Sequence, residues 1–379
     1  MTDTIAAANY TWFRTGHEMF PAMLAALDAA RRSVCLETYI YAPSALGERV
    51  RAALVAACHR RTGVRVLIDA LGSYDLPAEF WLPLEAAGGE VRWFNPLALN
   101  RWGIRDHRKL LVCDEQVAFV GGFNVAPEHD GDGVARGWCD LGLRLQGSLA
   151  SELADSFEDM FGRAALRHKR FVHFRRSGSK RTVRTPHAQI LLSGPGRGRS
   201  PIKRALQQDL ARAQRVQIMA AYFLPTWRLR RQLARVARRG GRVELMLPAK
   251  SDVAVSLLAG QSLYRRLLRS GIQIHEYQPQ VLHAKLILIN DAVYVGSANL
   301  DPRSLHLNYE LMIRFENPKM AAEARSIFRE RLTHCRSIDL ETWRRSRSLW
   351  RRFKQHWAYF LLVRVDPYIA RRQWQALPD

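Results

Sequence analysis

The chain has 379 residues, enough for two ordinary domains with substantial cores, and carries 58 Lys plus Arg against 35 Asp plus Glu, a formal charge of +23. Such a surface attracts polyanions, and nucleic acid and anionic lipid both qualify. The longest strongly apolar run, Trp357–Val363, is far short of the roughly 20 residues of a membrane span; the N-terminus has neither the basic region nor the apolar region of a secretory signal, and five scattered cysteines suit reduced thiols better than a disulfide framework.

In chain order, the first half opens with an apolar strand (Val34–Ser44), a helical stretch (Gly47–Arg60) and a second strand (Gly63–Ala70). A helix ended by glycine and a short strand follow within Leu76–Pro96. The run Asp106–Asn124, DHRKLLVCDEQVAFVGGFN, then places His107 and Lys109 two apart at the head of a β-branched and leucine-rich segment, so both side chains share one face of a strand. Beyond it lie the loop EHDGDG (Glu128–Gly133), the strand GWCDLGLRL with Asp140, and a helix, ASELADSFEDMFG.

The second half repeats this plan. Strand (Val216–Thr226), helix (Trp227–Arg238), strand (Gly241–Ala249), and helix plus short strand (Leu263–Pro279) lead to LHAKLILINDAVYVGSANL, Leu282–Leu300, with His283 and Lys285 in the same relation. A strand with Glu310 follows, LNYELMIRF. One His-x-Lys triplet is a common accident, whereas two, each followed by a second strand, a small-residue turn and an asparagine (Asn124, Asn299), mark a duplicated unit. The alternation of strands and helices predicts two similar α/β domains, each a sheet flanked by helices. The expected divisions are residues 1–162, a basic linker 163–186, a second domain 187–335 and a basic amphipathic tail 336–379.

These residues resemble the phospholipase D superfamily, whose signature is HxKxxxxD followed by a Gly-rich turn and asparagine, and the order is most similar to short bacterial cardiolipin synthases. The resemblance implies two domains related by a pseudo-twofold axis with both His-x-Lys motifs in one cleft. It covers the chain from about Asn9 to Cys335. The first motif is complete, with Asp114, but the second has Asn290 where the pattern asks for Asp; Asp291 follows, yet a one-residue shift turns a strand side chain to the other face. The resemblance makes the motif aspartate a scaffold and gives the orienting of each imidazole to another acid, for which Asp140 and Glu310 are the candidates. An acid at an otherwise buried strand position needs a partner, and a histidine suits.

A phosphodiester demands cations and donors around its nonbridging oxygens, a nucleophile, and an acid for the leaving alkoxide. Lys109 and Lys285 supply charge, Asn124 and Asn299 amide donors. By analogy His107 is the nucleophile, forming a phosphohistidine, and His283 the acid and later the base. The scheme needs no cofactor, and the sequence has no CxxC pair, HExxH or acidic DxD cluster to hold a metal; EHDGDG reads as a rim of the site. The loop SGPGRGRSPIKRAL offers Arg197 and Arg199 as phosphate contacts.

The resemblance implies transfer of a phosphatidyl group from a glycerophospholipid, phosphatidylglycerol or phosphatidylethanolamine, to phosphatidylglycerol, with water as a competing acceptor. A nucleic-acid phosphodiesterase and a catalytically impaired membrane-binding protein remain the alternatives. The tail from Leu340 spaces Trp343, Trp350 and Trp357 a heptad apart with Phe353 and Phe360 on the same face, among arginines. A basic helix of that kind fits an anionic membrane interface, placing the protein peripherally on the cytoplasmic face.

Overall fold

The computed structural model describes residues 9–96, 103–164, 180–186, 188–196, 198–345 and 348–366. Most of the expected linker, His187, Arg197 and the last residues of the tail lie outside them. The first half contributes strands β1 (Tyr10–Phe13), β2 (Ser33–Thr38), β3 (Gly63–Asp69), β4 (Glu90–Phe94), β5 (Leu110–Cys113), β6 (Val117–Gly121) and β7 (Gly142–Gln146). The second contributes β8 (Arg181–Arg184), β9 (Ala188–Ser193), β10 (Arg215–Met219), β11 (Arg242–Pro248), β12 (Gln273–Tyr277), β13 (Leu286–Ile289), β14 (Ala292–Gly296), β15 (Glu310–Glu316) and β16 (Cys335–Ser337).

The first sheet runs β1-β7-β6-β5-β2-β3-β4, and the second contains the same order as β9-β15-β14-β13-β10-β11-β12, extended by β8 at one edge and β16 at the other. In both, the β-α-β crossovers pair in parallel and the hairpin carrying the motif pairs antiparallel. The internal repeat is therefore a repeat of topology, and the fold is the expected pair of helix-flanked α/β units.

Alternation along the motif strands shows how the halves join. Leu110 and Val112 of β5 face the same core as Leu286 and Leu288 of β13, together with Phe157 of helix Ser148–Phe161 and Phe328 of helix Pro318–Leu332. Their neighbours Leu111 and Cys113, and Ile287 and Ile289, face two separate outer cores. Both faces of each motif strand are thus buried, which explains runs of unbroken apolar residues rather than apolar-polar alternation. The two sheets share one central core, at about 1.5–3 kcal/mol per large apolar side chain, and the His-x-Lys segments emerge at one end of it.

The tail departs from the expected single helix. The chain forms a short helix, Leu340–Arg345, and a second, Leu349–Phe360, which Ser348 caps. Trp343 is buried against Tyr264, with ring centroids 4.8 Å apart, so it leaves the heptad stripe. Trp350, Phe353, Trp357 and Phe360 remain on the second helix and are exposed, while Gln355 and Ala358 face the protein; Gln355 Nε2 donates to Gln261 Oε1 at 3.3 Å. This helix thus turns Gln355, Ala358 and Tyr359 toward the protein and Trp350, Phe353, Trp357 and Phe360 outward.

Candidate active site

Short backbone bridges across the halves build the site. His107 N donates to Tyr309 O at 3.0 Å and Tyr309 N to Arg105 O at 2.9 Å; His283 N donates to Cys139 O at 2.8 Å and Cys139 N to Val281 O at 2.9 Å. Each motif histidine is thereby laid beside the acid-bearing segment of the other half. His107 Nδ1 lies 3.1 Å from Glu310 Oε1, and His283 Nδ1 lies 2.6 Å from Asp140 Oδ2. In sequence each acid follows its own motif; in space it serves the opposite histidine. Glu310 begins β15, whereas Asp140 stands just ahead of β7 rather than on the expected strand.

The two motif histidines, the two motif lysines and both acids are buried. Lys109 Nζ donates to His107 O at 2.7 Å, and Lys285 Nζ lies 2.8 and 2.9 Å from the two ring nitrogens of His283. Burial and the neighbouring lysines hold the imidazoles neutral, His107 well below its ordinary range and His283 at about 3 despite Asp140. Burial alone would raise Asp140, but His283, Lys285 and the hydrogen bonds from His129 and His283 hold it well below the carboxylate range. Burial pushes Glu310 up to about 8 against Lys109 and the hydroxyls of Ser297 and Ser304.

The lysines are lowered too, Lys109 to about 7 and Lys285 to about 8, chiefly by burial. An arriving phosphodiester adds an anion to that of Asp140 and favours protonated lysines. Its capture therefore persists below pH about 7 and weakens as pH rises through about 8. We expect kcat/KM, which reports the free enzyme, to fall along that alkaline limb; a profile flat from pH 6 to 10, with those limits on the order of the reference lysine range, contradicts this electrostatic account.

Two substitutions between the halves make the site unequal. A Cβ on Gly122 would come within 2.0 Å of Asp140 Oδ1, so only glycine fits there. The corresponding Ser297 instead donates through Oγ to Glu310 Oε2 at 2.5 Å. Five residues beyond Asn124 is His129, and five beyond Asn299 is Ser304. His129 is fully buried; its Nε2 accepts from Asn124 Nδ2 at 3.1 Å, which leaves the hydrogen on Nδ1, facing Asp140 Oδ2 across 3.3 Å. His129 therefore stands behind the site rather than on the expected rim, and the equal offset from each asparagine is the signal the sequence holds for it. Asn124 also accepts from Ile40 N at 3.2 Å, so one amide hydrogen remains for the cleft. Ser304 Oγ accepts from Asn299 N at 3.2 Å.

His129, Asp140 and His283 bring ligand-type atoms within 4.8 Å of one another. The Lys285 ammonium at 2.8 Å from His283 Nδ1 makes this a proton-sharing cluster unsuited to a metal cation.

His107, His283, Asn124 and Asn299 line a cleft of about 460 Å³, whose wall includes Tyr39 and Trp138. Tyr39 packs on His107 with centroids 5.0 Å apart, Trp138 on His283 at 5.1 Å. Within the EHDGDG loop, Asp132 Oδ1 accepts from the backbone of Val134, Ala135 and Arg136, a structural role. Arg199 is exposed and does not line the cleft.

Asp114, grouped from sequence with the catalytic candidates, is a correction: β5 separates it from Lys109, and it does not reach the cleft. Its carboxylate accepts from Arg31 N, Arg32 N and Ser33 N at 2.7–3.2 Å, tying the motif hairpin to the start of β2. Asn290 does the same to β10. Its Oδ1 accepts from Gln214 N at 3.0 Å and Arg215 N at 3.1 Å, and its Nδ2 donates to Arg212 O at 3.2 Å. Both sit at positive φ, 55° and 49°, a region asparagine and aspartate tolerate. Restoring the pattern by Asn290→Asp would face a carboxylate oxygen to the Arg212 carbonyl, at about 1 kcal/mol. The expected result is a slightly lower melting temperature and unchanged turnover; a large gain in turnover would refute the scaffold role.

Two halves, each giving His and Asn to the lining of one cleft with a buried Lys against the histidine and a cross-paired acid on its imidazole, define a phosphodiester-processing protein of the phospholipase D type. The family model described as "Cardiolipin synthase, PLD-like domain" matches residues 23–160 and 206–332, and the chain belongs to that family. It is 35% identical over 307 residues to cardiolipin synthase B of Shigella flexneri, covering 78% of this chain and 73% of the relative. It is 33% identical over 350 residues to the major cardiolipin synthase ClsA of Bacillus subtilis, covering 90% and 72%. In fold it is similar to phosphatidylserine synthase of Haemophilus influenzae, with a TM-score of 0.71, 14% identity, and coverage of 95% and 94%.

Proposed function

We propose that the protein is a phosphatidyltransferase that forms cardiolipin at a membrane surface. His107 Nε2 attacks the phosphorus of a glycerophospholipid while the bond to the headgroup oxygen breaks, and His283 protonates the leaving alkoxide. His283 then takes the proton of a phosphatidylglycerol hydroxyl as that oxygen attacks phosphorus and the N–P bond breaks. The lysines and asparagines hold the nonbridging oxygens throughout. The observation that carries this reading is the cross-pairing of Glu310 with His107 and Asp140 with His283 in one cleft. Tyr39, Trp138, Leu224 and Leu362 give the cleft apolar walls, which favour a lipid alcohol over water.

The outward aromatic face of helix Leu349–Phe360 supports docking on an anionic bilayer, since Trp350 is 63% and Trp357 55% exposed beside arginines. Among the described residues no helix is long and apolar enough to cross a membrane. Incubation with phosphatidylglycerol vesicles, followed by mass spectrometry, tests the reading. Cardiolipin is the expected product; phosphatidic acid alone, or nicking of plasmid in a parallel assay with no lipid product, overturns it. Replacing Trp350, Phe353, Trp357 and Phe360 with alanine should abolish vesicle flotation, and unchanged flotation removes the docking role.

A further inference from the structure

The cleft holds one charged pair that its twofold plan does not explain. Arg303, four residues beyond Asn299, makes a two-pronged ion pair with Asp366, Nε to Oδ2 and Nη2 to Oδ1, both at 2.6 Å. Both residues line the cleft that His107 and His283 share. The corresponding first-half position, four beyond Asn124, is Glu128, so this cation exists on one side only. Groups that hold the reacting phosphate come in matched pairs; an unmatched cation fits an unmatched task.

Resting on the transferase reading, we propose that Arg303 is the seat of a second phosphodiester, the one carried by the acceptor lipid, and that Asp366 is the chain's own occupant of that seat. A guanidinium reads two oxygens of a carboxylate and two of a phosphodiester with the same fork. The acceptor's own phosphodiester lies one glycerol away from the hydroxyl that attacks, so the cleft must accommodate a second anion beside the first. Arg105, the other arginine lining the cleft, is buried and held through Nε and Nη2 by Asp69 at 3.4 Å and by the carbonyls of Ile104 and Asn95, with Nη1 alone unpaired, so it has no fork to offer a ligand. Arg303 differs, its side chain being 36% exposed and its partner 21%.

The source of the partner supplies the switch. Asp366 follows the π-turn Leu361–Val365, which continues directly from the helix with the outward aromatic face, and Leu362 of that turn also lines the cleft. The element that meets the bilayer is thus the element that fills Arg303. Docking draws the segment toward lipid and exchanges the carboxylate for a headgroup phosphate, one anion for another on the same fork.

Full-length protein and its Arg303→Gln and Asp366→Asn variants, on phosphatidylcholine vesicles with graded phosphatidylglycerol, test this with cardiolipin and phosphatidic acid measured together. In R303Q the ratio of cardiolipin to phosphatidic acid should fall at least about tenfold, the scale of one lost charged hydrogen-bonded contact, with a higher KM for phosphatidylglycerol. In D366N that KM should drop. An unchanged ratio and KM in R303Q overturns the site, and an unchanged or raised KM in D366N overturns the occupant. If R303Q lacks a cooperative melt, Arg303→Lys keeps the charge without the fork and should give an intermediate ratio; a wild-type ratio there counts against fork recognition. Competition by inorganic phosphate that vanishes in R303Q assigns the seat to phosphate in general, and no competition confines it to lipid headgroups. Wild-type protein that makes no cardiolipin defeats the transferase reading itself, whereas cardiolipin from wild type with an unaltered R303Q defeats only this inference.

Discussion

Given a phosphodiester whose leaving group needs no proton, such as a p-nitrophenyl ester, the His283→Ala protein should release one equivalent of nitrophenolate and stop. The His107→Ala protein should release none. The chemistry behind this is a division of labour between two histidines of like sequence. Asp140 is held ionised beside His283 by Lys285 and by the His129 hydrogen bond, which favours an imidazolium once substrate phosphate offsets the lysines. His107 is kept neutral by burial and the two lysines, and with Nδ1 donating to Glu310 its Nε2 lone pair is free to attack. With natural lipid, loss of the acid at His283 should slow turnover by about 10²–10⁴, and loss of the nucleophile at His107 by at least as much. A burst from His107→Ala and none from His283→Ala would reverse the assignment; no burst from either would remove the phosphohistidine.

Removing Asp140 should cost both stability and turnover. Asp140→Ala strips the shared partner from His283 and His129 inside a fully buried cluster, and breaking such a pair from one side costs about 3–5 kcal/mol. Asp140→Asn keeps the shape, but its amide would donate to Nδ1 and fix the wrong imidazole tautomer, a change that costs on the order of 10⁴ in a His-Asp pair of a serine protease. Thermal unfolding and turnover measured together check both. Because the folded Asp140 pKa lies well below its ordinary value, its contribution is present above pH about 4 and is lost on acidification; Asp140→Ala should flatten that acid limb. Turnover of Asp140→Asn within a few-fold of wild type would deny the orienting role.

Much of the machinery was legible because it is local. Spacing of two residues puts His and Lys on one side of an extended segment, and a repeated hairpin with its turn and asparagine identifies the duplicated half. The setting of Asn290 was not legible: read as a strand residue, it sits in the turn after β13 at positive φ, where its side-chain oxygen accepts backbone hydrogens as that of Asp114 does. In the tail the heptad periodicity runs across a helix break. A heptad spacing puts Trp343 on the stripe, but the chain ends one helix at Arg345 and starts another at Leu349, and Trp343 turns into the core.

The two half-sites, the residue types each brings to a phosphodiester, and the α/β plan that carries them are written in local sequence pattern. Which acid serves which histidine is settled only on folding, since that pairing follows from backbone bridges at Asp106–Tyr309 and Cys139–Leu282 between segments distant in the chain. The same holds for His129 behind Asp140 and for Asp366 on Arg303. Local propensity acts over a few neighbouring residues, whereas these contacts exist only because two sheets bury one core between them and bring four separate segments to its end.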